Sequence, residues 1–173
     1  MLISKNLENA INKQIGAELG ANLEYLQIAS YFEAGDMLKF AQIFFDQAEE
    51  EHFHAMKFLR YVLDAGGEVD IPAIEKPRKD FTSPADAVQT ALDWEVTVTK
   101  QINNLMDIAV QEKDYIAQEF LRWFVSEQLE EISKMSTILN IIKRSGDNLL
   151  MAETYITDAL AQIESVEGGA AAE

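Results

Sequence analysis

The chain contains no cysteine, only three prolines and two histidines, and fourteen basic residues against thirty acidic ones in a length of 173. Without cysteine there are no disulfides and no thiolate metal sites. With two histidines, His52 and His54, a histidine-rich site is excluded. The shortage of basic residues leaves a net charge of −16. That disfavours nucleic acid and anionic membranes as partners and favours the attraction of cations, although an ordinary acidic soluble protein carries the same signature. No run of eighteen apolar residues occurs, so no membrane span is expected. The segment Met1-Leu2-Ile3-Ser4-Lys5-Asn6 lacks a charged stretch followed by an apolar one, so no secretion signal is expected. A cytoplasmic location fits both that and the missing cysteine. Few prolines and 48% hydrophobic residues argue against disorder. The length suits one domain with a sizeable core, expected at residues 1–163, with a flexible Gly/Ala tail at 164–173.

What is present is helical periodicity, from about residue 5 to 163, broken in few places. Gly35-Asp36 closes the first segment and offers Asp36 as an N-cap for the second, and Gly66-Gly67 ends the second. Pro72, Pro77 and Pro84 all fall in or at the end of the next stretch. There Ser83-Pro84-x-Asp86 reads as a cap, a proline at the first helical position and an acidic first turn. Lys113-Asp114 is a weaker break; Ser145-Gly146-Asp147-Asn148, preceded by Lys143 and Arg144, is a strong one. Four long helices follow, at about 5–34, 37–65, 84–112 and 115–145, with a short fifth at about 148–163. The only strand-like pieces are short, such as Glu68-Val69-Asp70-Ile71. Roughly 18 extended residues between the second and third helices reach more than about 45 Å, enough to run the length of a helix of about 29 residues. The fold expected is an all-α four-helix bundle with a long crossover between helices 2 and 3 and a short C-terminal helix.

Each long helix carries an apolar stripe with an acidic residue in its middle: Glu18, Glu51, Glu95 and Glu131. They lie about 13, 14, 11 and 16 residues from their helix starts, which at about 1.5 Å per residue brings them into one central layer. Glu51 and His54 are three apart and share a helical face; Gln128 and Glu131 repeat that spacing. A lone Glu in such a stripe is usually a boundary residue that reaches solvent. Four coincident ones, with a long crossover, are not explained that way. Buried carboxylates cost several kcal/mol each unless neutralised, and two divalent cations would balance four charges. Oxygen-rich ligation with one imidazole suits iron or manganese better than structural zinc. One metal would have Glu18, His54 and a bridging Glu51, and the other Glu51, Glu95 and Glu131. With one Glu-x-x-His pair, the centre should be asymmetric.

Tyr25 lies seven residues after Glu18 on the same face, and Trp123 one turn before Gln128. Both read either as core packing or as electron donors or hydrogen-bond partners of the metals, a role that suits Tyr25 better. Glu50, Glu127 and Glu130 are turned about 100° from the core positions. They read either as a solvated face or as a third cation site sharing Glu131. Glu49 and His52 are expected at solvent or a subunit contact.

These residues sit in longer stretches. They are Asn12-Lys13-Gln14-Ile15-Gly16-Ala17-Glu18 with Tyr25, Ala48-Glu49-Glu50-Glu51-His52-Phe53-His54-Ala55-Met56, Trp94-Glu95-Val96-Thr97-Val98-Thr99-Lys100, and Phe120 through Glu131. On them the chain resembles the bacterial and archaeal non-haem ferritins, over nearly its whole length to about residue 163. The resemblance implies the ferritin-like fold and a homo-oligomeric shell of 24 subunits. It also implies a ferroxidase centre oxidising Fe²⁺ with O₂ or H₂O₂, and a stored ferric mineral. By matched positions it implies a first iron at Glu18, Glu51 and His54 and a second at Glu51, Glu95 and Glu131, with Gln128 near the second. A third iron at Glu50, Glu127, Glu130 and Glu131 is implied in the same way. Haem-binding relatives place Met where His52 stands and use a second Glu-x-x-His, so no haem is expected. The fifth helix, with Leu149, Leu150, Tyr155, Ile156 and Leu160, is expected at a symmetry axis of the shell. Two other readings stay open from the residues: a di-iron or mixed manganese–iron oxidase without mineral storage, and a metal-free helical interaction protein.

Overall fold

The computed structural model describes the backbone of residues 2–170 and the side chains of residues 2–160. Its helices are α1 (Lys5–Ala34), α2 (Leu38–Asp64), α3 (Pro84–Gln111), α4 (Tyr115–Ser145) and α5 (Leu149–Ala170). Four of the starts are capped by side chains that accept from otherwise unpaired amides, α5 by Asn148 Oδ1, which accepts from Met151 N at 3.2 Å. Ser4 Oγ accepts from Leu7 N at 3.1 Å, Ser83 Oγ from Asp86 N at 3.1 Å, and Asp114 Oδ1 from Ala117 N at 2.9 Å. The start of α2 differs from expectation. Met37, not Asp36, is the cap residue, with no side-chain cap bond. Asp36 has φ +59° and turns the chain between the two helices, a left-handed conformation that Asp tolerates better than most residues. α5 runs to Ala170, beyond its expected end at 163, because glycine in a helix costs about 1 kcal/mol without forbidding it. The last three positions of the expected tail lie outside the described residues.

α1 packs against α2, and α3 against α4, each pair antiparallel across a short link; α1 also lies along α3, and α5 rests mainly on α4. Between α2 and α3 the chain forms no helix or strand, the Glu68–Ile71 piece included. It is instead fastened to a track along α1 at every fourth residue. Asn12 acts on it as a strand partner would: its Nδ2 donates to Glu68 O at 2.9 Å, and its Oδ1 accepts from Asp70 N at 3.1 Å. Gly16 lies so close to Pro72 that an added Cβ would run into the ring, so glycine is required there. At Gly20 an added Cβ would stand 3.0 Å from the Trp94 ring, with Ile74 at ordinary contact distance. Glu24 Oε2 accepts from Arg78 N at 3.0 Å, and Arg78 then pairs with Asp86 at 2.6 Å, near the start of α3.

The interior divides into two apolar clusters. One joins the C-terminal half of α1 to the N-terminal half of α2, the start of α3 and the end of α4, and includes Phe32, Phe40, Phe44 and Ile138. Phe32 stacks on Phe44 at 5.5 Å and on Phe40 at 5.3 Å. Ala152 and Ile156 of α5 complete that cluster. The other holds the opposite ends of the four helices, with Phe58 stacked on Phe124 at 3.9 Å. Between the clusters, on each of α1 to α4, lies the acidic residue. Among the described residues no helix is long and apolar enough to cross a membrane.

Candidate metal centre

Glu18, Glu51, Glu95 and Glu131 are each 1–2% exposed, and His54 is 2% exposed. Glu18 and Glu51 come from the α1/α2 pair, Glu95 and Glu131 from α3/α4. The helical register that fills both clusters with apolar side chains leaves these positions facing one another. Ligand-capable atoms of Glu18, Glu51 and His54 lie within 4.8 Å of one another, and so do those of Glu51, Glu95 and Glu131. Glu51 belongs to both groups.

Every carboxylate is oriented by a neighbour. Gln14, one turn before Glu18, donates from Nε2 to Glu18 Oε1 at 2.8 Å. Gln47, one turn before Glu51, donates to Glu51 Oε1 at 3.3 Å and across the bundle to Glu131 Oε2 at 2.7 Å. The Tyr25 hydroxyl donates to Glu95 Oε1, and Gln128 Nε2 donates to Glu95 Oε2 at 3.1 Å. His54 Nδ1 stands 3.2 Å from Glu51 Oε2, its ring held edge-on by Trp123 at 5.4 Å and Phe124 at 5.9 Å. Two buried ligand-capable atoms, Glu18 Oε2 and His54 Nε2, have no hydrogen-bond partner among the described residues. Unpaired buried acceptors beside clustered carboxylates fit bound cations.

The electrostatics point the same way. Burial, then the neighbouring Glu51 charge, holds the Glu18 carboxyl well above its ordinary range; burial with Glu51 and Glu131 does the same to Glu95. Burial lifts Glu131 to about 7, although Lys134 opposes it. Burial draws the His54 value down, but the Glu51 contact and the surrounding carboxylates outweigh it, leaving it raised. Tyr25 is raised well above 10, first by burial and then by Glu95, so it remains a phenol at neutral pH. A layer like this accepts protons or metal ions, and metal binding displaces the protons.

The outer acidic residues are arranged differently from the sequence expectation. Glu50 and Glu127, both half-buried, form a group with His54, and their ligand-capable atoms lie within 4.8 Å of one another. Glu130 is half-buried outside that group, near enough to Glu127 to raise its carboxyl, though burial contributes more. Glu131 turns inward to the Glu51/Glu95 group. Glu49 and His52 are exposed. Trp123 packs on His54 and carries Lys57 Nζ 3.5 Å from a ring centroid. Sequence reasoning assigned no role to Gln14, Gln47 or Lys134. The signal for all three was a polar residue one turn from a buried Glu: four before Glu18, four before Glu51 and three after Glu131.

Fold and site define a class: a four-helix bundle with a long crossover whose core carries carboxylates grouped to hold metal. The ferritin-like domain family matches residues 8–145. The chain is 41% identical over 146 residues to ferritin BfrB of Mycolicibacterium smegmatis, covering 84% of this chain and 81% of that one. It is 38% identical over 147 residues to the bacterial non-heme ferritin of Staphylococcus aureus, covering 85% and 89%. Among solved structures, the open pore ferritin of the hyperthermophilic archaeon Archaeoglobus fulgidus superposes with a TM-score of 0.86 at 35% identity, covering 90% of this chain and 96% of that one. The chain belongs to the ferritin family of iron-storage proteins, among the bacterial and archaeal non-haem members.

Proposed function

We propose that the buried layer is a ferroxidase centre that binds two Fe²⁺ ions as substrate and oxidises them together, using O₂ or H₂O₂. The observation that carries this reading is the sharing of Glu51 between two ligand groups, one with Glu18 and His54 and the other with Glu95 and Glu131. A shared carboxylate holds two ions close enough to give up one electron each in a single encounter. Two electrons and two protons reduce O₂ to H₂O₂, or H₂O₂ to two waters, and two Fe³⁺ ions remain. The two protons come from solvent, because bound ions displace those that the ligand carboxylates hold. Tyr25, bonded to Glu95, orients that ligand. The pair is lopsided: His54 serves the first ion, while Gln128 stands against Glu95 on the second without a second imidazole.

We further propose that 24 copies enclose a cavity in which the ferric product collects, in the cytoplasm, with no haem, nucleic acid or membrane involved. Large apolar side chains left outward support assembly, among them Leu129 at 75% exposed and Leu150 at 77%. Leu150, Met151 and Tyr155 form the outer side of α5, which suits contact with further copies. Copies of 19.5 kDa would give a particle of about 470 kDa. Native mass and retained iron after aerobic Fe²⁺ loading test storage directly. A particle of that order retaining many irons per subunit is expected. A monomer or dimer that oxidises Fe²⁺ but retains none would make the chain a di-iron oxidase instead.

A further inference from the structure

Beside the two shared-Glu51 groups, half-buried Glu50 and Glu127 come together with buried His54, the imidazole already counted for the first ion, and offer two further carboxylates to one more ion. It is already served by a cation of the chain itself. Lys134 Nζ donates to Glu50 Oε2 at 3.0 Å and to Gln47 Oε1 at 2.9 Å, and stands 3.7 Å from Glu131 Oε1. Its side chain is 26% exposed, and that of Glu50 35%. The lysine thus lies at the boundary between the buried layer and solvent. We infer that Lys134 is a tethered counter-cation that limits each subunit to two tightly held metal ions, by occupying Glu50 and repelling a third ion from the Glu50/Glu127/His54 group. The inference rests on the dinuclear reading above and adds to it a residue that sets stoichiometry.

The geometry makes the competition unavoidable. A divalent ion at Glu50 would share that carboxylate with the ammonium at 3.0 Å, and here, unlike at Glu51 with Glu18, Glu95 and Glu131 around it, only Glu127 adds a second carboxylate to the group to offset the repulsion. Nor can Lys134 leave at no cost to the inner centre. Its bond fixes the oxygen of Gln47, whose amide nitrogen holds Glu51 and Glu131. Occupying the outer group would therefore loosen the amide that orients ligands of both inner ions. The Lys134 ammonium lies between Glu50 and Glu131, so both carboxylates have a cation beside them without any bound ion. It acts as a positioning residue and an occupant of the cation place, with no part in the oxidation itself.

The test is equilibrium dialysis of the full-length, assembled, metal-free protein against Co²⁺ alone at neutral pH, which counts ions without oxidation. Wild type is expected to hold two tight ions per subunit. Lys134→Met, which keeps the stem and removes the charge, is expected to hold three, the inner two somewhat loosened by the lost Gln47 contact and the third bound about tenfold or more tighter than any third ion in wild type. Lys134→Arg should return the count to two, and Lys134→Met combined with Glu127→Gln should do the same. A count of two in both wild type and Lys134→Met overturns the inference while leaving the dinuclear centre intact, and three tight ions in wild type overturns it as well. Fewer than two in wild type overturns the dinuclear reading and this inference with it.

Discussion

The two apolar clusters and the carboxylate layer between them are built from the same four helices, yet their stability rests on different things. In the clusters, the Phe32/Phe40/Phe44 stack and the Phe58/Phe124 pair are satisfied by their own neighbours. Their burial contributes whether or not anything is bound. In the layer, Glu18, Glu95 and Glu131 all have raised carboxyls and need protons or metal to be comfortable. The clusters set the helical register; the layer uses that register to group carboxylates that would not approach one another unaided.

That contrast can be broken most severely at Glu51, the residue common to both groups. Glu51→Ala should slow Fe²⁺ oxidation by about a hundredfold or more, beyond what losing an orienting partner costs, while the shell still assembles. Phe32→Ala should do the reverse. It should lower unfolding stability by about 3–5 kcal/mol, equally with and without metal, and leave oxidation per assembled shell nearly unchanged. Denaturant unfolding and stopped-flow oxidation of both variants separate the two regions. If Phe32→Ala cost stability only in the metal-free protein, the division would be wrong.

The pH dependence sharpens the same contrast. Glu131 is raised in the fold to about 7 from an ordinary 4.5, so the folded state favours its protonated form. Its contribution to stability is full below about 4.5 and is lost as pH rises through about 7, a change on the order of 3 kcal/mol. Metal-free protein should therefore melt at lower temperature at pH 8 than at pH 5, and Glu131→Gln should flatten that slope. Bound metal should flatten it too, because the ion replaces the proton. An unchanged slope in Glu131→Gln would assign the titration to other groups.

The smallest of these effects concerns the orienting amides. Gln47→Leu should weaken metal binding or slow oxidation by about tenfold, because Glu51 and Glu131 lose the amide that holds them. An effect as large as that of Glu51→Ala would mean Gln47 acts as more than an orienting group.

How much of this could be read from the sequence follows from the same division. The four acidic residues stood out because each interrupts a long apolar stripe, and mid-helix positions fall into one layer whichever way neighbouring helices run. The crossover was legible as a length between two helices. Its attachment was not, because Asn12, Gly16, Gly20 and Glu24 form a track only when the α1 surface is seen against Pro72 and Trp94. Asp36 misled because a cap and a left-handed turn residue favour the same side chain. Gln14 and Gln47 looked like ordinary boundary residues, since nothing in a helical pattern tells a glutamine facing water from one holding a buried carboxylate. Lys134 was hidden for a different reason: its long stem carries the charge back to Glu50, on another helix and 84 positions away in sequence.

The carboxylate layer is proposed above as a place for two iron ions that react as a pair. The measurement that bears on it most directly is rapid oxygen uptake as Fe²⁺ is added in steps to the metal-free, assembled protein at neutral pH. A fast phase is expected that grows in proportion to added iron, stops growing at two Fe²⁺ per subunit, and is absent in Glu51→Ala. A fast phase that is missing in the wild type, or one that survives unchanged in Glu51→Ala, would contradict it.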